Sequence, residues 1–103
     1  MIEHLVAFKF KAPLGEAKER ELLDALYAMK GEVPGIVELT AGANETEETD
    51  NIRGYTLGLR VTFDSREALR QYGPHPAHQR FVALLDGIID DVVVIDYPAR
   101  HAD

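Results

Sequence analysis

The run Val92-Val93-Val94-Ile95 constrains this chain more than any other stretch. Side chains of a strand alternate between two faces, so a run with no polar residue is apolar on both. Such a strand belongs to a sheet covered front and back. The other elements must supply that cover, and they are few. Ile2 to Lys11 alternates as a strand, with Ile2, His4, Val6, Phe8 and Phe10 on one face. Its other face, Glu3, Leu5, Ala7, Lys9 and Lys11, is mixed. Tyr55, Leu57, Leu59, Val61 and Phe63 form the apolar face of another strand, opposite Thr56, Gly58, Arg60 and Thr62. Ile36 to Asn44 is a weaker strand, carrying Glu38 and the small residues Ala41 and Gly42.

Helices fill the intervals. Pro13-Leu14-Gly15 breaks the first strand, and Glu16 to about Lys30 then carries Leu22, Leu26, Met29 and Val33 at helical spacing. Glu16, Glu19 and Glu21 sit early, where the helix dipole favours acids. Gly31, Pro34 and Gly35 end it. Asp64-Ser65-Arg66-Glu67 reads as a helix start with Asp64 as the cap and an acid three residues on. A short helix through Ala68, Leu69 and Tyr72 stops at Gly73-Pro74, since proline lacks an N–H and disfavours a helical residue before it. Pro76 suits the first turn of a further helix running to about Asp86. Pro98 to Asp103 is a tail.

The order β-α-β-β-α-(α)-β is the split βαβ pattern of a ferredoxin-like, α+β sheet. Its helices cover the face holding His4, Val6, Phe8, Tyr55, Leu57 and Leu59. The opposite face is too apolar for water and has no helices left to cover it. Two copies packed through that face would make a barrel-like homodimer.

Length and charge narrow the partners. A chain of 103 residues forms one domain, 1–103, able to fold without staples. It has no cysteine, which removes disulfides, zinc-thiolate sites and thiol nucleophiles. Eighteen acidic residues against eleven Lys and Arg give a net charge of -7, a field that repels nucleic acid. No apolar run reaches membrane-spanning length, and Met1-Ile2-Glu3 opens directly into a strand pattern. The expectation is a cytoplasmic protein with no membrane partner. Glu45 to Asn51 is an acidic loop whose spacing fits no calcium site.

Chemistry gathers between Gln71 and Phe81, where two of the four histidines lie beside a tyrosine. His78 precedes Phe81, Val82 and Leu85 by three, four and seven residues, so its imidazole shares their apolar face. His75 stands at the entrance of that helix, ahead of Pro76. His78 could be a core histidine held by one hydrogen bond, or a base in a pocket with Tyr72 across the break. His4, the one polar member of its strand face, is either a strand-end residue near solvent or a pocket residue. A histidine takes a proton near neutrality, and a phenol can hold a carbonyl oxygen as enolate charge develops. Together they suit proton abstraction beside a carbonyl, an aldol closure or an isomerisation. A metal at His75 and His78 is disfavoured, because His75 falls outside the helix and the nearest following acid is Asp86.

Between residues 2 and 97 the chain resembles the Dabb, or stress responsive α/β-barrel, family. The resemblance is carried by His4 to Lys11, Gly31-Glu32-Val33-Pro34-Gly35, Gly54-Tyr55-Thr56, Val61-Thr62-Phe63, Tyr72 through His75-Pro76-Ala77-His78, and Asp96-Tyr97. His-Pro-Ala-His is its most specific element. The resemblance implies a dimeric α+β barrel with a small-molecule cavity between sheet and helices in each subunit. A polyketide-cyclising member implies catalytic roles for Tyr72 and His78 without metal or organic cofactor, and matches its first-strand histidine to His4. That member has a further pocket histidine where this chain has Leu57. Val6, Phe8, Leu57, Leu59 and Phe81, with His4 and His75, are then the expected ligand-binding residues.

Two functions follow: a binding protein holding a small, largely apolar molecule, and a cofactor-independent cyclase, lyase or isomerase. The lack of cysteine and of any metal-ligand spacing predicts that protein purified without added metal carries no stoichiometric transition metal by elemental analysis. Loss of folding on chelation would contradict this.

Overall fold

The computed structural model describes residues 1–100. Its elements are β1 (Ile2–Phe10), α1 (Glu16–Glu32), β2 (Ile36–Ala43), a 3-10 turn (Thr49–Asn51), β3 (Tyr55–Phe63), α2 (Arg66–Tyr72), α3 (Pro76–Leu84) and β4 (Ile89–Pro98). The strands form one antiparallel sheet in the order β2-β3-β1-β4. The split βαβ reading of the sequence therefore describes the fold, an α+β ferredoxin-like sheet with its helices on one face.

The boundaries differ from the sequence reading for local reasons. The helix α1 runs through Gly31 to Glu32, because its true stop is Pro34, which holds Val33 extended at φ -93, ψ 118. Ser65, not Asp64, caps α2: its backbone is extended and its side chain accepts the Ala68 N–H at 3.1 Å. The Asp64 N–H bonds instead to the Gly35 carbonyl. The last helix, α3, closes at Leu84, and Leu85 and Asp86 belong to the turn that follows. Pro98 is the last residue of β4 rather than the start of a tail, and residues 101–103 of that expected tail lie outside the described residues.

One face of the sheet and the helices make the core. Leu22, Leu26 and Met29 of α1 are fully buried among Val61 and Phe63 of β3 and other apolar residues of the sheet. Burying each such side chain contributes about 1.5–3 kcal/mol. Gly35, at φ +87, lets α2 sit directly on the turn before β2; a Cβ there would lie 2.4 Å from the Ala68 Cβ. Tyr27 reaches from α1 to the outer edge of β2, where its hydroxyl donates to the Ala41 carbonyl and accepts the Ala41 N–H at 2.8 and 3.0 Å.

The last strand departs from expectation. Its apolar run implied cover on both faces, yet in the single chain it is open on both. Val92 and Val94 face the helix side and are 39 % and 52 % exposed. Val93 and Ile95, on the open side, are 42 % and 55 % exposed. The reason is topological: β4 is an edge strand, beyond the reach of α2 and α3. On the open face Gly42, Gly58, Ala7 and Val93 form a low row across the sheet. Beside it, Arg60 donates to Glu3 at 3.1 Å and to Glu38 at 2.8 Å, and Thr62 donates to Glu3.

An apolar row with a satisfied polar island at its side is suited to a second copy. Sedimentation at micromolar concentration should give one species of twice the chain mass. Ile95→Glu should shift it to the single-chain mass without unfolding it, and a wild-type monomer at high concentration would refute the assignment.

Candidate active site

The turn between α2 and α3 builds the site. Gly73 and Pro74 end α2 just after Tyr72, and Pro76 opens α3. His75, extended at φ -63, ψ 138, is the cap of α3, and its Nδ1 accepts the Ala77 N–H at 3.0 Å. His78 lies one turn into α3. Its Nδ1 meets the Gly73 carbonyl at 2.9 Å, and Gln79 donates to the same oxygen at 2.7 Å. A carbonyl only accepts, so Nδ1 of His78 carries the proton. In the neutral ring Nε2 is then a bare lone pair. Burial holds the His78 pKa below its ordinary 6.5, against the pull of the Gly73 carbonyl, and the neighbouring His4 adds to the depression. His78 is a neutral base at physiological pH.

Tyr72 stands beside it. The two ring centroids are 4.4 Å apart, and the other sides of the phenol ring meet Phe63 at 5.1 Å and His4 at 5.4 Å, both edge-on. Such packing fixes the ring, each edge-on aromatic contact contributing on the order of 1 kcal/mol beyond burial. The residue is only 4 % exposed. Its hydroxyl has no protein hydrogen-bond partner among the described residues, yet it is not a sealed, unsatisfied atom. Its opening is into the cavity that Tyr72 lines. Burial pushes the phenol up to about 12, so the hydroxyl remains a proton donor.

His4 completes the polar end. It lies directly across from Asp96 in the β1–β4 register, and its Nδ1 is 2.6 Å from the Asp96 carboxylate. The carboxylate accepts, which orients the imidazole and leaves its Nε2 outside the pair.

These groups share a cavity of about 860 Å³ between the sheet, α2 and α3. His4, Asp96, Tyr72 and His78 line one end. Phe8, Phe81, Leu85, Ile89 and Val92 line the other, with Phe8 and Phe81 in edge-on contact at 5.6 Å. His4 and Phe8 are four residues apart on β1, so the two ends are separated by about 13 Å at roughly 3.3 Å per strand residue.

Of the residues singled out in the sequence, His4, Val6, Phe8, Leu59, Tyr72, His78 and Phe81 line this one cavity. Two do not. His75 spends its Nδ1 on the helix cap, and Leu57 lines a small cleft with Leu14 and Ala43 at the far end of the sheet. Sequence reasoning missed Asp96 as a site residue; its signal is the period of two with Val92 and Val94, readable only once β4 is set beside β1. Among the described residues no three His, Asp or Glu side chains gather as a metal site.

The depressed His78 pKa has a consequence for stability. The unfolded chain binds that proton more readily than the folded one, so stability is full above pH 6.5 and falls as pH drops toward the folded-state value. Thermal midpoints should decline below pH 6.5, and His78→Gln should remove that component of the decline. A ring titrating above 6.5 by NMR would refute it.

Known proteins resemble the chain over almost its whole length. Over 99 residues the chain is 28% identical to olivetolic acid cyclase of Cannabis sativa, covering 96% of this chain and 97% of the cyclase. The crystal structure of At3g17210 from Arabidopsis thaliana superposes with a TM-score of 0.85 at 28% identity, covering 100% of this chain and 99% of that one. A dimeric ferredoxin-like protein of unknown function from Jannaschia superposes at 0.80 with 26% identity, over 95% and 98% of the two chains. The family model described as Stress responsive A/B Barrel Domain matches residues 2–99, and the chain belongs to that family.

Proposed function

We propose that this chain binds a small, largely apolar carbonyl compound between sheet and helices and moves a proton at the carbon beside that carbonyl. The His78 Nε2 is the base and the Tyr72 hydroxyl is the acid, and the step needs no metal or organic cofactor. One observation carries the reading: a histidine locked by Gly73 into the tautomer with a bare Nε2 stands beside a phenol of the same cavity whose hydroxyl has no protein hydrogen-bond partner among the described residues.

The chemistry follows from these groups. Nε2 of His78 removes the proton from the carbon next to the carbonyl, and the electron pair moves to the carbonyl oxygen as an enolate. Tyr72 donates a hydrogen bond to that oxygen as the charge develops. The enolate carbon then has two fates. It takes a proton back at another position, an isomerisation, or it bonds to a second carbonyl carbon of the same molecule, an aldol closure. In the closure the new alkoxide takes the proton held by His78, and nothing is consumed. Likeness to olivetolic acid cyclase supports the second fate. The departure at Leu57 lies outside the cavity lining here, so it leaves the Tyr72–His78 pair intact.

His4 is a positioning residue in this reading. Its bond to Asp96 holds its ring edge-on against Tyr72.

Proton abstraction can be read without the natural substrate. A medium-chain ketone such as 2-nonanone, incubated in D₂O with the protein, should exchange its α-protons faster than in buffer. His78→Ala should return the rate to background, and Tyr72→Phe should lower it by about 10²–10⁴-fold. Ketone binding with no exchange would make the protein a binding module. Absence of ketone binding, together with a large fall in thermal midpoint for both variants, would make the pair structural and overturn the proposal.

A further inference from the structure

The charges around the cavity are distributed unevenly. Among the described residues Arg70 is the one Arg or Lys that lines it. It belongs to α2, the helix that ends at Tyr72, whose ring packs against His4 and Phe63 at the polar end. The carboxylate of Asp86 lines the cavity too, but at the opposite end. It follows α3 and precedes Ile89, which pairs with Phe10 beyond the Phe8 position. The remaining acid, Asp96, is already held by His4. The cavity thus carries one cation, on the helix that ends at Tyr72, while the apolar end carries an acid.

Arg70 is available. Among the described residues it pairs with Glu67, one turn back on α2, at 3.4 Å, and both side chains are largely exposed. A pair of this kind is weak, and it engages one of the five guanidinium N–H donors. Glu67 also accepts from Gln71 at 3.0 Å, which divides its attention. A guanidinium fork matches a carboxylate in plane and spacing. An anion reaching the mouth of the cavity would meet Arg70 at one end and Asp86 at the other, in a protein whose net charge of -7 otherwise repels it.

We propose that Arg70 determines specificity by binding a carboxylate on the head of the ligand, so that the ligand is an apolar-tailed acid with its carbonyl near Tyr72 and its tail toward Ile89 and Val92. This inference rests on the cavity-binding reading above and names the substrate class within it. The orientation follows directly. The carboxylate stays at Arg70, the reacting carbon lies beneath His78, and the hydrocarbon occupies the end lined by Phe8, Phe81 and Leu85.

Two probes of equal length separate charge from hydrophobicity: octanoate and octanamide. Calorimetric titration of the intact protein should show octanoate binding about tenfold more tightly than octanamide at low salt, with the difference shrinking as salt is raised. Arg70→Gln should erase the preference by weakening octanoate alone. Glu67→Gln should enlarge it, because it removes the competing carboxylate and leaves the guanidinium in place. Equal affinities for the two probes in wild type, or a preference that survives Arg70→Gln, would overturn the role of Arg70 while leaving cavity binding intact. Failure of both probes to bind wild-type protein would overturn both readings together.

Discussion

Three short helices have to cover one face of a four-stranded sheet, and they stop short of its last strand. Most of the molecule follows from that mismatch. Where α1 lies over the sheet the packing is complete, and Leu22, Leu26 and Met29 lose all contact with water. Where α2 and α3 break at Gly73 and Pro74 and turn aside, Val92 and Val94 lack a cover and a cavity opens in front of them. On the reverse side no helix exists at all, and an apolar sheet surface waits for another. The cavity and the open face are two results of the same shortage of helix.

The break that opens the cavity also arms it. The carbonyl of Gly73, the residue that closes α2, lies past the end of the helical ladder, and His78 takes it. One backbone oxygen therefore decides which nitrogen of the imidazole is a base. The same turn leaves Tyr72 as the last residue of α2, wedged among two histidines and a phenylalanine at the cavity wall. A rigid phenol and a single tautomer are a pre-organised pair, and pre-organisation is where proton-transfer sites gain most of their advantage over solution.

Much of this was legible in the sequence. Periods of two and of three to four residues placed β1, β3 and α1, cap and proline signals placed α2 and α3, and the apolar run in β4 announced a sheet short of cover. The errors fall where a one-dimensional pattern meets a three-dimensional choice. Asp64 and Ser65 are both good caps, and the backbone of Gly35 claims the N–H of the first, leaving the second to cap α2. Leu57 and Leu59 share a face of β3, but sharing a face is not sharing a cavity, because the helices cover the sheet unevenly. Asp96 becomes visible beside His4 only when the β1–β4 register is known. Arg70, one exposed arginine among several, has no sequence signal that sets it apart.

The hydroxyl of Tyr27 closes both backbone groups of Ala41 at the outer edge of β2. A bare strand edge is a template on which further chains can add, and a sheet bare at both edges can lengthen without limit. Here one edge is stoppered from within by a side chain of the same molecule. A single phenolic oxygen thus removes Ala41 from the backbone groups that a further strand could pair with.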